Sequence, residues 1–345
     1  MHIAVTGGAG YIGSTLVPLL LESGHRVTVI DRLYFGEASL KRAFEANPDK
    51  LKLVRADVRR VDPRTFEGIE GLVDLAGISN DPSCELDTEL TRSINLEGAL
   101  RVARLAQAAG AQRIVFASSC SVYGHGAGLA LTEESPLHPV SLYAHCKAEA
   151  ERGLFALGKS TGVAVTALRF ATVFGLSEKM RFDLAVNVMT KNAYVARKIT
   201  VDGGGQQWRP FVHVRDVAEA IRRAVEAPVG TLKNQVINVG SSANNVRIKN
   251  LAYRVRDLVP GTEVVMAPSD PDLRDYNVAF DRAGALLDFC PARSIEDGVV
   301  EILSALHAGV VDPDDRRCYT LRQYQFLAEV ERTFNDVAMD GRVLV

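Results

Sequence analysis

The sequence predicts an α/β protein, with a doubly wound, parallel sheet and a smaller discontinuous α/β domain beside it. Three observations carry that expectation. Apolar runs alternate with helical patterns through the first 170 residues, and a glycine-rich turn joins the first run to the first helix. After about Gly175 the alternation gives way to short strands, prolines and the run Gly203-Gly204-Gly205. Strand–helix alternation with right-handed crossovers makes a parallel sheet. Such sheets bind ligands beyond the carboxyl ends of their strands. The larger unit is expected to comprise residues 1–175 and 206–240, the smaller one 176–205 and 241–345.

The first strand, 2–6, runs into Thr6-Gly7-Gly8-Ala9-Gly10-Tyr11-Ile12-Gly13 and a helix over 11–23, where Ile12, Leu16, Leu19 and Leu20 recur at helical spacing. Gly7 permits the tight turn, Gly10 lets backbone approach phosphates, and Gly13 lets helix and strand pack closely. The helix N-terminus adds unpaired N–H groups and a positive dipole end. Pro18 inside this helix predicts a kink or a missing hydrogen bond. The second strand, 26–30, ends at Asp31, eighteen residues after Gly13. A carboxylate there accepts from the adenosine ribose hydroxyls and repels the extra phosphate of NADP. Arg32 beside it is the residue that would welcome that phosphate; the pattern favours NAD. The first domain therefore reads as Rossmann-type.

Further strands are expected at 52–55, 72–75, 113–118 and 163–168, with alanine-rich helices at 85–109 and 140–158 that look buried on more than one face. Later strands fall at 199–201, 235–238 and 263–266. A helix at 247–259 carries Ile248, Leu251, Val255 and Leu258 on one stripe, and another at 320–334 carries Leu321, Tyr324, Val330 and Phe334. The formal charge of −2 gives no broad attraction for nucleic acid or an anionic membrane. Apolar runs fall short of the ~20 residues of a membrane helix, and no basic, apolar leader precedes the first strand. Five cysteines lack a CxxC pair, and seven histidines lack metal-ligand spacing. A soluble cytoplasmic protein without a metal site is expected.

Tyr143-Ala144-His145-Cys146-Lys147 is the candidate reactive sequence. Residues four apart share a helix face, so the Tyr143 phenol and the Lys147 ammonium should lie one above the other. Tyrosine ionises near pH 10 and is a poor base at neutrality. A neighbouring cation and the positive ring of oxidised NAD favour phenolate; a shift of about three units corresponds to roughly 4 kcal/mol. Upstream, Ser118-Ser119-Cys120-Ser121 closes a predicted strand. Hydroxyls there can point into the ligand crevice, or cap the following turn.

With these motifs in view, the chain resembles extended short-chain dehydrogenases/reductases of the NAD-dependent nucleotide-sugar epimerase/dehydratase family over nearly its whole length. Thr6–Gly13, Asp31, Val73-Asp74-Leu75-Ala76, Asn95, the Ser119 cluster, Tyr143 with Lys147, Arg169–Gly175, Arg209–Val217 and Arg274 occur in family order. The resemblance implies that Tyr143 is the general base, Lys147 its partner, and Ser119 the group that bonds the oxygen on sugar carbon 4. It places Gly7, Gly10, Tyr11, Ile12, Gly13, Asp31, Arg32, Asp57, Val58, Leu75, Ala76, Gly77 and Asn95 at the NAD, together with Tyr143 and Lys147. It places Ser79, Ser119, Cys120, Ser121, Tyr143, Thr172, Asn187, Arg209 and Arg274 at a UDP- or GDP-linked sugar. Relatives pair through helices matching 85–109 and 140–158, which implies a homodimer.

Two departures narrow the chemistry. Family dehydratases carry Asp-Glu directly after the catalytic Ser/Thr, and decarboxylases keep the glutamate; here stand Cys120 and Ser121. A thiol and an alcohol are poor substitutes for the acid and base that elimination needs. Thr172 replaces the usual asparagine of its motif. The segment from Ser177 to Asp183 also differs from common hexose 4-epimerases and resembles a bacterial subgroup acting on carbon 4 of GDP-heptoses. The leading expectation is an NAD-dependent nucleotide-sugar 4-epimerase; the alternative is a carbon-4 dehydrogenase or 4-ketoreductase. A dinucleotide sensor without turnover is disfavoured, because Ser119, Tyr143 and Lys147 are all in place.

Overall fold

Seven strands make the main sheet: β1 (His2–Thr6), β2 (Arg26–Asp31), β3 (Leu51–Arg55), β4 (Gly71–Asp74), β5 (Arg113–Ser119), β6 (Ala164–Phe170) and β7 (Gln235–Val239). The structure is a computed structural model and describes residues 1–268, 274–339 and 341–342, without the side chains of 127–129. Every pairing is parallel, in the order β7-β6-β5-β4-β1-β2-β3. The chain leaves β1 in one direction through β2 and β3, then returns to the other side of β1 for β4. That reversal opens a crevice at the carboxyl ends of β1 and β4, the place where doubly wound sheets bind ligands.

Parallel strands covered on both faces need near-continuous apolar runs, and Ile3, Ala4 and Val5 of β1 are wholly buried. One face packs on helix Gly13–Glu22 through Leu16, Val17 and Leu20, and on helix Val214–Glu226 through Ile221 and Val225. The other face packs on helix Ala99–Ala108 through Val102 and Ala106, and on helix Leu142–Thr161 through Ala150 and Leu154. Smaller sheets stand beyond this body. Thr172–Phe174, Trp208–His213 and Asn245–Arg247 form one; Lys198–Asp202 pairs with Glu263–Ala267, and His125–Leu131 with Asp275–Val278. Helices Ala185–Ala196, Ile248–Leu258 and Ile295–His307 share a separate core with the first two of these sheets.

The expected strands are present within a residue or two. Helix Gly13–Glu22 continues through Pro18, whose absent N–H leaves one ladder bond unmade. The stretch 85–109 departs from expectation: it is helix Thr88–Arg92, a π-type turn over Ser93–Gly98, then Ala99–Ala108. A β-carbon on Gly98 would stand 2.8 Å from a Val58 methyl, so the glycine lets this turn press on the predicted cofactor wall. Inserted π-turns are frequent at functional sites. Among the described residues no helix is long and apolar enough to cross a membrane.

Candidate active site

A single cavity of about 910 Å³ begins at the glycine turn, passes the ends of β4 and β5, and reaches Thr172, Arg209 and Arg274. Its first wall is a cradle that side chains would fill. Gly7 has φ +67°, and a β-carbon there would meet the Ala76 nitrogen at 2.9 Å; one on Gly13 would lie 2.5 Å from the Gly7 carbonyl oxygen. The Thr6 hydroxyl donates to Asp74 and accepts from the Leu75 and Ala76 amides at 3.2 and 3.1 Å, tying the β4 loop to the glycine turn. Asp31 accepts from the Ala9 amide at 3.0 Å through one oxygen and from Leu33 at 2.7 Å through the other, leaving lone pairs for ribose hydroxyls. Burial pushes its carboxyl up, against the pull of those amides and of Lys179. Asp57 grips Arg59 through two oxygens at 2.9 and 2.6 Å, which holds its carboxyl below the usual range, and Arg32 leans on Asp57 at 4.0 Å. These features fit NAD: a backbone cradle, a carboxylate at the ribose position, and an arginine already facing another acid.

The reactive groups stand midway along the cavity. Ser119 ends β5, and its hydroxyl accepts from the Ser121 amide at 3.1 Å. Tyr143 and Lys147 are one turn apart on helix Leu142–Thr161, which Ser141 caps by accepting from Ala144 at 3.3 Å. The Lys147 ammonium donates to the Ala117 carbonyl at 2.7 Å and lies 5.7 Å from the Tyr143 ring centre. Burial lowers its pKa, opposed by Asp74. The Tyr143 phenol is pushed well above its ordinary range, first by burial and then by Cys84; Arg181 and Ser119 pull the other way. The expectation that a neighbouring cation and the oxidised NAD ring favour phenolate named Lys147 as that cation. Desolvation prevails in the protein by itself, and the cation that opposes it is Arg181.

A buried lattice supports the serines. Arg169 and Glu151 pair through bonds of 3.0 and 2.7 Å, Ser118 donates to Glu151, and Arg169 reaches the Tyr123 hydroxyl at 3.0 Å. Cys120 turns inward and donates to the Arg169 carbonyl at 3.3 Å. It does not line the cavity, which corrects its assignment to the substrate; Ser121 does, with a buried hydroxyl lacking a partner among the described residues. Cys120 and Cys146 are packing residues here, fully buried.

Two amides also fall behind the wall. Asn95 accepts from the Ile78 amide and donates to the Ile78 carbonyl, both at 2.8 Å, so it positions the Gly77–Ser79 loop from behind. Asn187 accepts from the Gly175 amide at 3.0 Å and donates to the Tyr11 hydroxyl and the Arg181 carbonyl at 3.1 and 2.9 Å. Neither residue faces the cavity. Cys120 apart, the other expected residues do, including Ser79, Thr172, Arg209 and Arg274, the last paired with Asp81 at 2.8 Å.

Sequence reasoning missed the contribution of segment 176–184. It folds against the glycine turn, with Ser177 donating to the Tyr11 carbonyl at 2.7 Å. Arg181 reaches into the cavity, held by Asp183 through two bonds of 2.9 Å, and donates to Ser79 at 2.8 Å. Asn80 donates to the same Asp183 at 2.6 Å. Lys179 lines the cofactor end. The helix Thr320–Val337 completes that end: Tyr324 packs edge-on against Tyr34 and Phe35, each 5.6 Å between ring centres, and Gln323 donates to the Tyr34 carbonyl at 2.7 Å. An apolar stripe on a late helix signals docking, not its target.

A parallel doubly wound sheet with a glycine cradle, a terminal carboxylate and a Ser–Tyr–Lys set defines an NAD-dependent enzyme of the short-chain dehydrogenase/reductase class. A profile of the NAD dependent epimerase/dehydratase family matches residues 3–240, and the chain belongs to that family. It is 28% identical over 320 residues to a UDP-glucose 4-epimerase of Mycolicibacterium smegmatis, covering 87% of this chain and 97% of that protein. It is 29% identical over 309 residues to UDP-glucuronic acid decarboxylase 1 of Xenopus tropicalis, covering 86% and 70%. The UDP-glucuronic acid 4-epimerase of Bacillus cereus, solved with UDP-glucuronic acid and NAD, shares the fold at a TM-score of 0.81, with 23% identity over 89% of this chain and 99% of that one.

Proposed function

We propose that the protein is a nucleotide-sugar 4-epimerase acting on a UDP- or GDP-linked sugar. The observation that carries this reading is the single cavity, in which Ser119 and Tyr143 lie between the glycine cradle and the arginines Arg209 and Arg274. Bound NAD would supply what no side chain can, a reversible hydride acceptor for sugar carbon 4 and the positive charge of its oxidised ring. Tyr143 Oη removes the proton of the 4-hydroxyl and gives it back. Ser119 Oγ hydrogen-bonds the same oxygen and holds it beside the phenol. Lys147, anchored on Ala117, orients the nicotinamide ribose. Arg209 and Arg274 hold the diphosphate, so that the sugar turns while its handle stays fixed. The names of the relatives support the substrate class.

The cavity separates a cofactor unit of residues 1–175 and 206–240 from a sugar unit of 176–205 and 241–345 in this reading. The half-buried apolar side chains Leu96, Leu100 and Phe155 lie on the helices assigned to a homodimer. The reaction is tested by incubating the purified protein with UDP- and GDP-hexoses and heptoses and separating the products. Inverted sugar without net cofactor reduction is expected. Stoichiometric 4-ketosugar with NADH and no inverted sugar rejects the epimerase in favour of a carbon-4 dehydrogenase.

A further inference from the structure

We propose that Lys179 is a cofactor-binding residue that pairs with the pyrophosphate of the bound dinucleotide, from the side opposite the glycine cradle. Lys179 is only 8% exposed, yet among the described residues its ammonium makes no hydrogen bond and no ion pair. The face of the Phe35 ring lies 3.7 Å from the ammonium nitrogen. An ammonium held in a largely desolvated wall without a paired anion is costly, and a phosphate entering the cavity supplies that anion. The side chain lines the cavity at its cofactor end, and its own backbone amide donates to Ser14 at 3.4 Å, one residue into the cradle helix. Other cations of the wall are engaged: Arg32 faces Asp57, Arg181 faces Asp183, and Arg274 faces Asp81.

The cradle itself falls short of the charge it must meet. A helix N-terminus offers about half a positive charge, whereas both phosphoryl groups of a pyrophosphate are anionic. Lys179 makes up part of the difference. Burial, and then Arg181, pull its pKa down to about 7 in the protein alone, while Asp183, Cys318 and Asp315 resist. Asp31, from the end of β2, is a further charged neighbour. Phosphate pairing holds the ammonium charged, so binding above pH 7 takes up a proton. Affinity then falls with rising pH by up to about tenfold per unit. The Cys318 thiol, pushed up to about 11, stays outside that window.

The inference rests on the NAD site and needs no sugar chemistry, so its test can fail while the epimerase reading stands. NADH and ADP-ribose affinities are measured by fluorescence and calorimetry from pH 6.5 to 9, for wild type, Lys179→Met and Lys179→Arg, with UDP as a further probe. Wild type should weaken toward pH 9. Lys179→Met should bind both dinucleotide probes at least tenfold more weakly at pH 6.5, with a flattened profile and no lower melting temperature before ligand is added. Lys179→Arg should bind with a flat profile, since guanidinium stays charged throughout. Lys179→Met with wild-type affinity overturns the proposal, as does a Lys179→Arg that keeps the wild-type slope. A loss confined to UDP also overturns it, because the lysine then serves the substrate's diphosphate.

Discussion

Replacing Arg181 with methionine isolates the worth of the buried pair that faces Tyr143. Arg181 and Asp183 have side chains 10% and 16% exposed and share two bonds of 2.9 Å. Methionine keeps much of the packing and leaves Asp183 with its Asn80 bond of 2.6 Å. Breaking such a pair costs about 3–5 kcal/mol, because the surviving charge stays buried; the Asn80 bond favours the lower figure. An unfolding entropy of about 2.1 cal/mol/K per residue, over this chain, converts ~3 kcal/mol into a loss of about 4 °C in Tm. Adding Asp183→Asn removes the stranded charge and should restore most of that loss. Burial opposes ionisation of Asp183, but Arg181 wins and holds its carboxyl far below the ordinary range. A depressed folded pKa contributes stability above the unfolded value, near 4, which disappears as pH falls through the folded value. The gap between wild type and Arg181→Met should therefore narrow below pH 4. Calorimetry of wild type, the two single variants and the double variant at pH 3 and 7 tests this. The reasoning fails if Arg181→Met melts within 1 °C of wild type, or if the double variant is no more stable than Arg181→Met.

Tyr143→Phe should cut turnover by about 10²–10⁴-fold, the usual worth of a general acid–base group, while NAD content stays at the wild-type level; unchanged turnover would remove Tyr143 from the chemistry. Gly13→Ala puts a β-carbon 2.5 Å from the Gly7 oxygen and the Gly8 α-carbon, both backbone atoms that only a wider turn can clear. Its NADH affinity should drop by about tenfold or more, and fluorescence titration at the wild-type value would contradict the cradle.

The sheet was legible because buried parallel strands need uninterrupted apolar runs, which mark β1, β2 and β5 plainly. The cradle was legible because glycine spacing reflects steric demands that hold in any context. Side-chain direction was not. Asn95 and Asn187 look like ligand contacts in the sequence, but their amides are spent on Ile78, Gly175 and Arg181, partners set by the tertiary fold. Cys120 follows Ser119, yet the 3-10 turn Cys120–Tyr123 carries its thiol to the Arg169 carbonyl. Nothing in the run from Ser177 to Asp183 announces the burial of Lys179, Arg181 and Asp183. They are buried only because segment 176–184 is pressed onto the cradle, a contact between residues more than 160 positions apart. The short strands Thr172–Phe174 and Asn245–Arg247 exist by pairing with Trp208–His213, and three residues carry too little periodicity to announce them.

The packing of Tyr324 and Gln323 on Tyr34 and Phe35 joins positions 289 or more residues apart. The Rossmann strands β1 to β6 precede residue 175, but the wall beside Asp31 is finished only when residues 320–324 have docked on it. A nascent chain halted before residue 320 would present a half-built nucleotide groove. Cofactor capture thus waits on a segment far along the chain from the glycine turn.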